Sequence, residues 1–364
     1  MQNRETSFAP VSQETSYTTL RQTQSDSVMF NSFCAYRFPD ENKIQLFKGN
    51  LTEGICEGFV IAPFDLSEHN PVSIVSLQEC DWSELSGIIQ FCDDSASLFE
   101  FPHESTTRKQ HKKEIESIIE ELDGNPEKKT IAAKVILRNQ SIDLPETFVR
   151  LCKEFPSSFI FAFHTPVTGG WIGASPELLL DCDQGILHTY ALAGTRPADS
   201  EGDWDKKNIN EQRIVERYIS RCFEKWGLKP ECSPTATCKA GKVEHLLTRI
   251  CADTSERITD LLLFLKDLSP TPALCGLPKE ESKERINRLE NFNRGYYGGF
   301  CGPFKSPSRF SFYVNLRSVR FDKTRWCMFA GGGITPASDP DAEWIETERK
   351  AAGIIKNLQF VSQL

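Results

Sequence analysis

Helical spacing puts carboxylates where apolar residues belong in two stretches of the chain. With residues about 100° apart, Ile214, Val215, Tyr218, Cys222 and Trp226 form one apolar stripe over residues 208–226; Glu211 falls inside it, and Arg213, Glu216 and Arg217 lie opposite. Near the end of the chain Glu343, Glu346 and Lys350 share a stripe with Ile354 and Leu358, whereas Glu348 and Arg349 face away. A buried carboxylate is costly unless it finds a cation or shifts its pKa. Two kinds of chemistry satisfy that demand. One is local: carboxylates favoured by a helix start, or a Glu–Lys pair one turn apart. The other is a Mg²⁺ site, in which one or two hard carboxylate oxygens leave the remaining positions to water and an anionic substrate. A third residue stands out by its surroundings. Lys134 is isolated in the otherwise apolar run from Ile131 to Leu137, where loss of hydration would lower its pKa.

These groups need elements to position them. Ser105 to Thr107 can cap a helix carrying Ile115, Ile118, Ile119 and Leu122, which Asp123–Gly124 can end. A strand from Thr130 to Leu137 should follow, then a helix opened by Asp143 and Pro145 and a strand from Phe159 to Phe163. Leu178 to Leu180 and Ile186 to Leu192, separated by Asp183–Gln184–Gly185, read as a hairpin. Further helices are expected over residues 208–226, 243–251, 259–267, 279–291 and 340–360, and late strands over 310–316 and 326–330. Earlier, short apolar segments at 33–38, 59–62 and 72–75 read as strands, and residues 1–27 as a polar, mobile leader. Strand runs with helices inserted between them, rather than regular βαβ alternation, indicate an α+β fold with large antiparallel sheets. Gly331–Gly332–Gly333 lacks the spacing of a dinucleotide-binding turn.

Composition narrows the function. The chain has 364 residues, 51 acidic against 42 basic, and a net charge of -9, which argues against nucleic acid as a partner. No apolar run reaches the length of a membrane span, and the first residues lack the pattern of a signal peptide. Thirteen cysteines, an odd number scattered without a CxxC pair, suit reduced thiols in the cytosol better than a disulfide or zinc framework.

From about residue 114 onward the chain resembles the chorismate-utilising enzymes, most closely the isochorismate synthases among them. The segments that carry the resemblance are Lys134-Val135-Ile136-Leu137, Gly173-Ala174-Ser175-Pro176-Glu177, Leu192-Ala193-Gly194-Thr195 and Lys207-Asn208-Ile209-Asn210-Glu211. They continue through Val243-Glu244-His245-Leu246, residues 270–278, Arg294-Gly295-Tyr296-Tyr297-Gly298-Gly299, Leu316-Arg317-Ser318 and residues 331–350. The resemblance implies one catalytic domain over residues 28–364, with the motifs in 105–364, built from two packed antiparallel sheets with helices outside.

It also implies roles. Conversion of chorismate to isochorismate adds water at ring carbon 2 and expels the hydroxyl at carbon 4, which needs a base and an acid. Lys134 matches the base and Glu177 the acid; Glu211 and Glu346 match Mg²⁺ ligands, with Glu343 contributing through water. Arg317, Tyr297 and Lys350 match groups that hold substrate carboxylates; Gly331, Gly332 and Gly333 would bring backbone N–H groups close to an anion, and Thr195 and His245 match polar pocket positions. Arg349 stands where relatives commonly have Asn, and Ser269 where a larger polar residue is common. Ala193 occupies the position of the nucleophilic lysine in the aminodeoxychorismate-forming relatives, so water rather than an amine is the expected nucleophile and no glutamine amidotransferase subunit is expected. A salicylate synthase, which goes on to eliminate pyruvate, and a non-catalytic scaffold of the same fold are the alternatives. The oligomeric state and downstream pathway are left open.

Overall fold

The computed structural model describes residues 30–90, 96–198, 200–240, 243–254, 258 and 260–361. The expected leader and the start of the helix expected at 259 fall outside them.

The chain begins with β1 (Ser32–Arg37), β2 (Gln45–Glu53), β3 (Gly58–Ala62) and β4 (Val72–Glu79), then α1 (Ser86–Gln90) and α2 (Arg108–Glu121). Next come β5 (Lys129–Arg138), α3 (Leu144–Glu154), β6 (Phe159–Thr165), β7 (Gly169–Ser175), β8 (Leu178–Asp183) and β9 (Ile186–Pro197). The second half holds α4 (Lys206–Lys225), β10 (Glu231–Cys232), β11 (Ala236–Ala240), β12 (Val243–Asp253), α5 (Leu261–Leu268), β13 (Gly276–Leu277) and α6 (Lys279–Leu289). It closes with β14 (Phe300–Ser306), β15 (Arg309–Val314), β16 (Ser318–Phe321), β17 (Trp326–Ile334) and α7 (Pro340–Ile355).

Local chemistry explains many of the boundaries. Thr107 and Gln110 form a reciprocal capping box at the start of α2, and Asp143, Asp205 and Asp339 each accept a backbone N–H at the starts of α3, α4 and α7. Asp183–Gln184–Gly185 links β8 to β9, with Gln184 and Gly185 both at positive φ.

The fold is mixed α+β and the strand pairing antiparallel. Where the resemblance implies two packed antiparallel sheets, the strands join in one hydrogen-bonded ladder with two arms. One arm runs β13–β5–β17–β16–β7–β6–β1–β2, and the other β3–β14–β15–β8–β9–β12. β4 pairs with both β2 and β3, so the ladder continues from one arm into the other. An aromatic core draws on both arms, with Phe159, Phe161, Phe163 and Phe329 from the first and Phe59, Ile61 and Cys301 from the second. α3 and α7 add Leu144, Phe148, Ala351 and Ile354 to a second cluster, and α4 and α5 add Val215, Ile219, Phe223, Phe264 and Leu268 to a third.

The helix expected over residues 243–251 is the long strand β12 instead. Leu246, Thr248, Ile250 and Ala252 are its buried residues, a period of two. Thr248 breaks the apolar look of that face, but its hydroxyl is bonded to Gln212 at 2.6 Å and to Glu216 at 3.0 Å. Glu216 therefore does not face away from the interior as the wheel of α4 suggests. Every cysteine among the described residues is a free thiol, and no helix there is long and apolar enough to cross a membrane.

Candidate functional site

β5 and β17 pair with Ile131 opposite Gly333, Gly331 opposite Ala133 and Lys134 opposite Ala330. Alternation puts Lys129, Ile131, Ala133 and Val135 on one face of β5, and Thr130, Ala132, Lys134 and Ile136 on the other. The glycine triplet is where charged groups gather. A Cβ on Gly333 would overlap the Lys129 side chain, one on Gly331 would sit 3.3 Å from the Tyr297 hydroxyl, and one on Gly332 would sit 3.1 Å from Glu343 Oε2. Lys350 Nζ donates to the Gly331 carbonyl at 2.9 Å and pairs with Glu346 at 2.7 Å. The missing side chains leave the room that these groups use.

Glu177 lies between β7 and β8 and accepts a hydrogen bond from Thr271 Oγ1 at 3.4 Å. Burial pushes its carboxyl up to about 7, against the opposing effects of the Thr271 bond and the charges of Lys129 and Arg317. Burial lowers the Lys129 pKa; Glu211 opposes that most, Lys350 adds to it, and Glu177 and Glu343 also oppose it. Lys129 thus stands in the field of Glu177, Glu211, Glu343 and Lys350 together.

Arg317 follows β15 in the left-handed region, at φ 51°, a conformation that costs an L-residue roughly 1–2 kcal/mol. Its pKa is lowered by burial and held up by Glu177. His245 on β12 has Nδ1 3.0 Å from the Gly194 carbonyl; burial lowers its pKa, the Gly194 bond opposes that, and Arg317 and Lys350 add to the lowering. Tyr297 is buried, stacks on Phe329 at 5.2 Å, and has its phenol pushed up to about 12 by burial. Thr195 lies opposite His245 in the β9–β12 register, but its side chain is outside those described.

Lys134 does not join this group. It projects from the other face of β5, fully buried, with its ammonium 3.4 Å over the Trp344 ring and paired with Glu348. The lysine whose charge acts on Glu177 is Lys129, five residues earlier; an odd separation along a strand means opposite faces. The wheel drawn for α7 also shifts. Its buried residues are Thr347, Ala351 and Ile354, while Glu346, Glu348 and Lys350 are all exposed, Glu348 pairing from there with Lys134. Sequence reasoning also missed the buried pair Glu290–Arg294 (2.5 Å). Glu290 accepts the Ala133 N–H at 2.9 Å and Arg294 donates to the Ile131 carbonyl at 2.8 Å, which fixes β5 beside Lys129. Its signal was a Glu and an Arg one helical turn apart.

Among the described residues no three His, Cys, Asp or Glu side chains are grouped as a ready-made metal cage. Mg²⁺ asks for less, because one or two carboxylates suffice when water and substrate oxygens complete the octahedron. Glu211 on α4 and Glu343 on α7 both act electrostatically on Lys129, and each carries the hard carboxylate oxygen that this ion takes.

A family profile described as "Chorismate binding enzyme" matches residues 83–359. Isochorismate synthase MenF of Haemophilus influenzae is 34% identical over 195 residues, 51% of this chain and 45% of that protein. Isochorismate synthase MenF of Escherichia coli K12 is 35% identical over 200 residues, 52% of this chain and 46% of that protein. The chain thus spans about half the length of the curated relatives it matches. The solved structure of the menaquinone-specific isochorismate synthase MenF from E. coli superposes with a TM-score of 0.72 at 20% identity, covering 90% of this chain and 89% of that one.

Proposed function

The chain belongs to the chorismate-binding enzyme family, and on that footing we propose that it converts chorismate to isochorismate. What supports this reading is the electrostatics of Lys129 and Glu177: burial lowers the lysine's pKa, burial pushes the carboxyl up to about 7, and the charge of each acts on the other. Neutral Lys129 takes a proton from water as the water oxygen bonds to ring carbon 2. The ring double bonds shift, and Glu177 gives its proton to the hydroxyl departing from carbon 4 as water. The base role expected of Lys134 passes in this reading to Lys129.

Arg317, Tyr297 and Lys350 bind and orient the two substrate carboxylates, with the Gly331–Gly333 backbone close beneath and His245 and Thr195 as polar pocket residues. Glu211, Glu343 and Glu346 would hold Mg²⁺, which when bound neutralises a substrate carboxylate and withdraws electron density from the ring. Ala193 offers no amine nucleophile, and in this reading water attacks, with neither ammonia nor an amidotransferase subunit taking part. Free thiols throughout the described residues suit a reducing compartment such as the cytosol.

Chorismate incubated with the protein and Mg²⁺ tests the reading. Isochorismate in reversible equilibrium with chorismate, formed without ammonia or glutamine, is the expected product. Stoichiometric pyruvate with salicylate would make the chain a salicylate synthase. An aminated product, or no consumption of chorismate, would overturn the reading.

A further inference from the structure

Thr271 lies in the loop between α5 and β13, buried, and its hydroxyl donates to Glu177 Oε1 at 3.4 Å. Both partners are held from their backbones. The Glu177 N–H donates to Ser175 Oγ at 3.3 Å, and the Glu177 carbonyl accepts the Val314 N–H at 3.0 Å. The Thr271 carbonyl accepts the N–H groups of Leu274 and Cys275, each at 2.9 Å, which curls the loop around it. The loop is also tied at both ends. Before it, Lys279 Nζ donates to the carbonyls of Lys266, Asp267 and Ser269 at 2.8, 3.2 and 2.7 Å. After it, the Cys275 carbonyl accepts the Ile131 N–H of β5 at 2.9 Å, and the Leu274 carbonyl accepts from Arg294 at 2.8 Å. The Thr271 hydroxyl is thereby anchored to the strand that carries Lys129.

A hydroxyl in this place acts differently on the two states of the acid. Toward a neutral carboxyl it makes an ordinary hydrogen bond; toward a carboxylate the bond is charge-assisted, shorter and roughly twice as strong. Lys129 and Arg317 act on Glu177 through their charges, and the Tyr297 phenol is a further titrating group coupled to it, whereas Thr271 is bonded to it directly. A bond that strengthens as charge develops stabilises the transition state more than the ground state.

We infer that Thr271 is a positioning residue for Glu177: it aims the carboxyl at the departing hydroxyl and holds the carboxylate that appears as the proton leaves. The proton passes from Glu177 to the carbon-4 hydroxyl, the carbon–oxygen bond breaks and water departs, while Thr271 keeps its own proton. In the reverse direction the same bond holds the carboxylate that takes the proton back. The inference rests on the acid role proposed for Glu177.

The test uses the full chain with Thr271→Val, which keeps shape and removes the donor, and Thr271→Ser, which keeps the donor and removes the methyl. With Mg²⁺, kcat should fall about tenfold in the Val variant while KM changes less than about threefold, and Ser should restore kcat. The titration of Glu177 is followed without chorismate by the infrared carboxyl band that Glu177→Gln lacks. Because Thr271 favours the ionised form, this titration should move up by about half a pH unit or more in the Val variant and return in the Ser variant. Should the Val variant fail to fold, Thr271→Ala must give the same shift and the same loss. An unmoved titration, a Ser variant as impaired as Val, or a raised KM at unchanged kcat would each overturn the inference. If the wild-type chain leaves chorismate untouched, the functional reading fails and the acid role with it, while the titration still decides whether Thr271 holds the Glu177 carboxylate.

Discussion

Glu177 holds its proton more tightly in the folded chain, where it titrates at about 7, than at its ordinary value of 4.5. Between those values the unfolded chain has released a proton that the folded chain keeps. Its contribution to stability is therefore fully present below about pH 4.5 and is lost as pH rises through about 7. Glu177→Gln removes that loss, and the variant should be about 2 kcal/mol more stable than wild type at pH 8 with no such gain at pH 4, as read by urea melts. The same variant should lose roughly 10² in turnover while still binding chorismate, because an amide cannot supply the proton. Lys129→Arg should also lose roughly 10² or more, since a guanidinium does not deprotonate in proteins; near-native turnover in this variant would remove Lys129 as the base. The Gly-Ala-Ser-Pro-Glu run that ends in Glu177 was legible in the chain. Lys129 was not singled out, whereas Lys134, alone among apolar residues, advertises burial, and it is fully buried. The two lysines lie on opposite faces of β5, which only the parity of their spacing reveals.

At the scale of elements, β17 packs its glycine triplet against the Lys129 side chain. Gly333→Ala should displace the Lys129 side chain, since the added methyl would overlap it. Turnover should then fall more than about tenfold, while thermal melting shifts by no more than a few degrees. A variant with full activity would show that the triplet merely permits close strand packing. Several helices were legible because a capping residue and an apolar stripe mark them, as Thr107 and Asp143 illustrate. β12 was misread because Leu246, Leu247 and Ile250 also satisfy a helical spacing, and the polar Thr248 hid the alternation. β7, which supplies the run into Glu177, is Gly169–Ser175, and its glycines hide a fully buried strand. Gly173 is needed there because a Cβ would sit 2.7 Å from the Phe161 ring.

The whole molecule brings together parts that lie far apart along the chain. If Glu211 and Glu343 hold Mg²⁺ between α4 and α7, a chelator should abolish turnover and leave the melting temperature within about 2 °C of the native value, because the strand ladder and its cores do not depend on the ion. A large loss of melting temperature would make the ion structural. Neither the continuity of that ladder nor its strand order was legible, since both depend on which distant segments pair rather than on any local pattern. The pairing of β5 with β17 joins residue 134 to residue 330, and Lys129 meets its glycine partner Gly333 only through that pairing. During synthesis β5 leaves the ribosome long before its partner exists. At ordinary elongation rates of about 5–20 residues per second the wait lasts on the order of ten to forty seconds. Through that interval the strand that carries Lys129 has an unpaired edge, and a chain that stops short of β17 lacks the glycine triplet that meets it. Its assembly is therefore a matter of timing as much as of affinity.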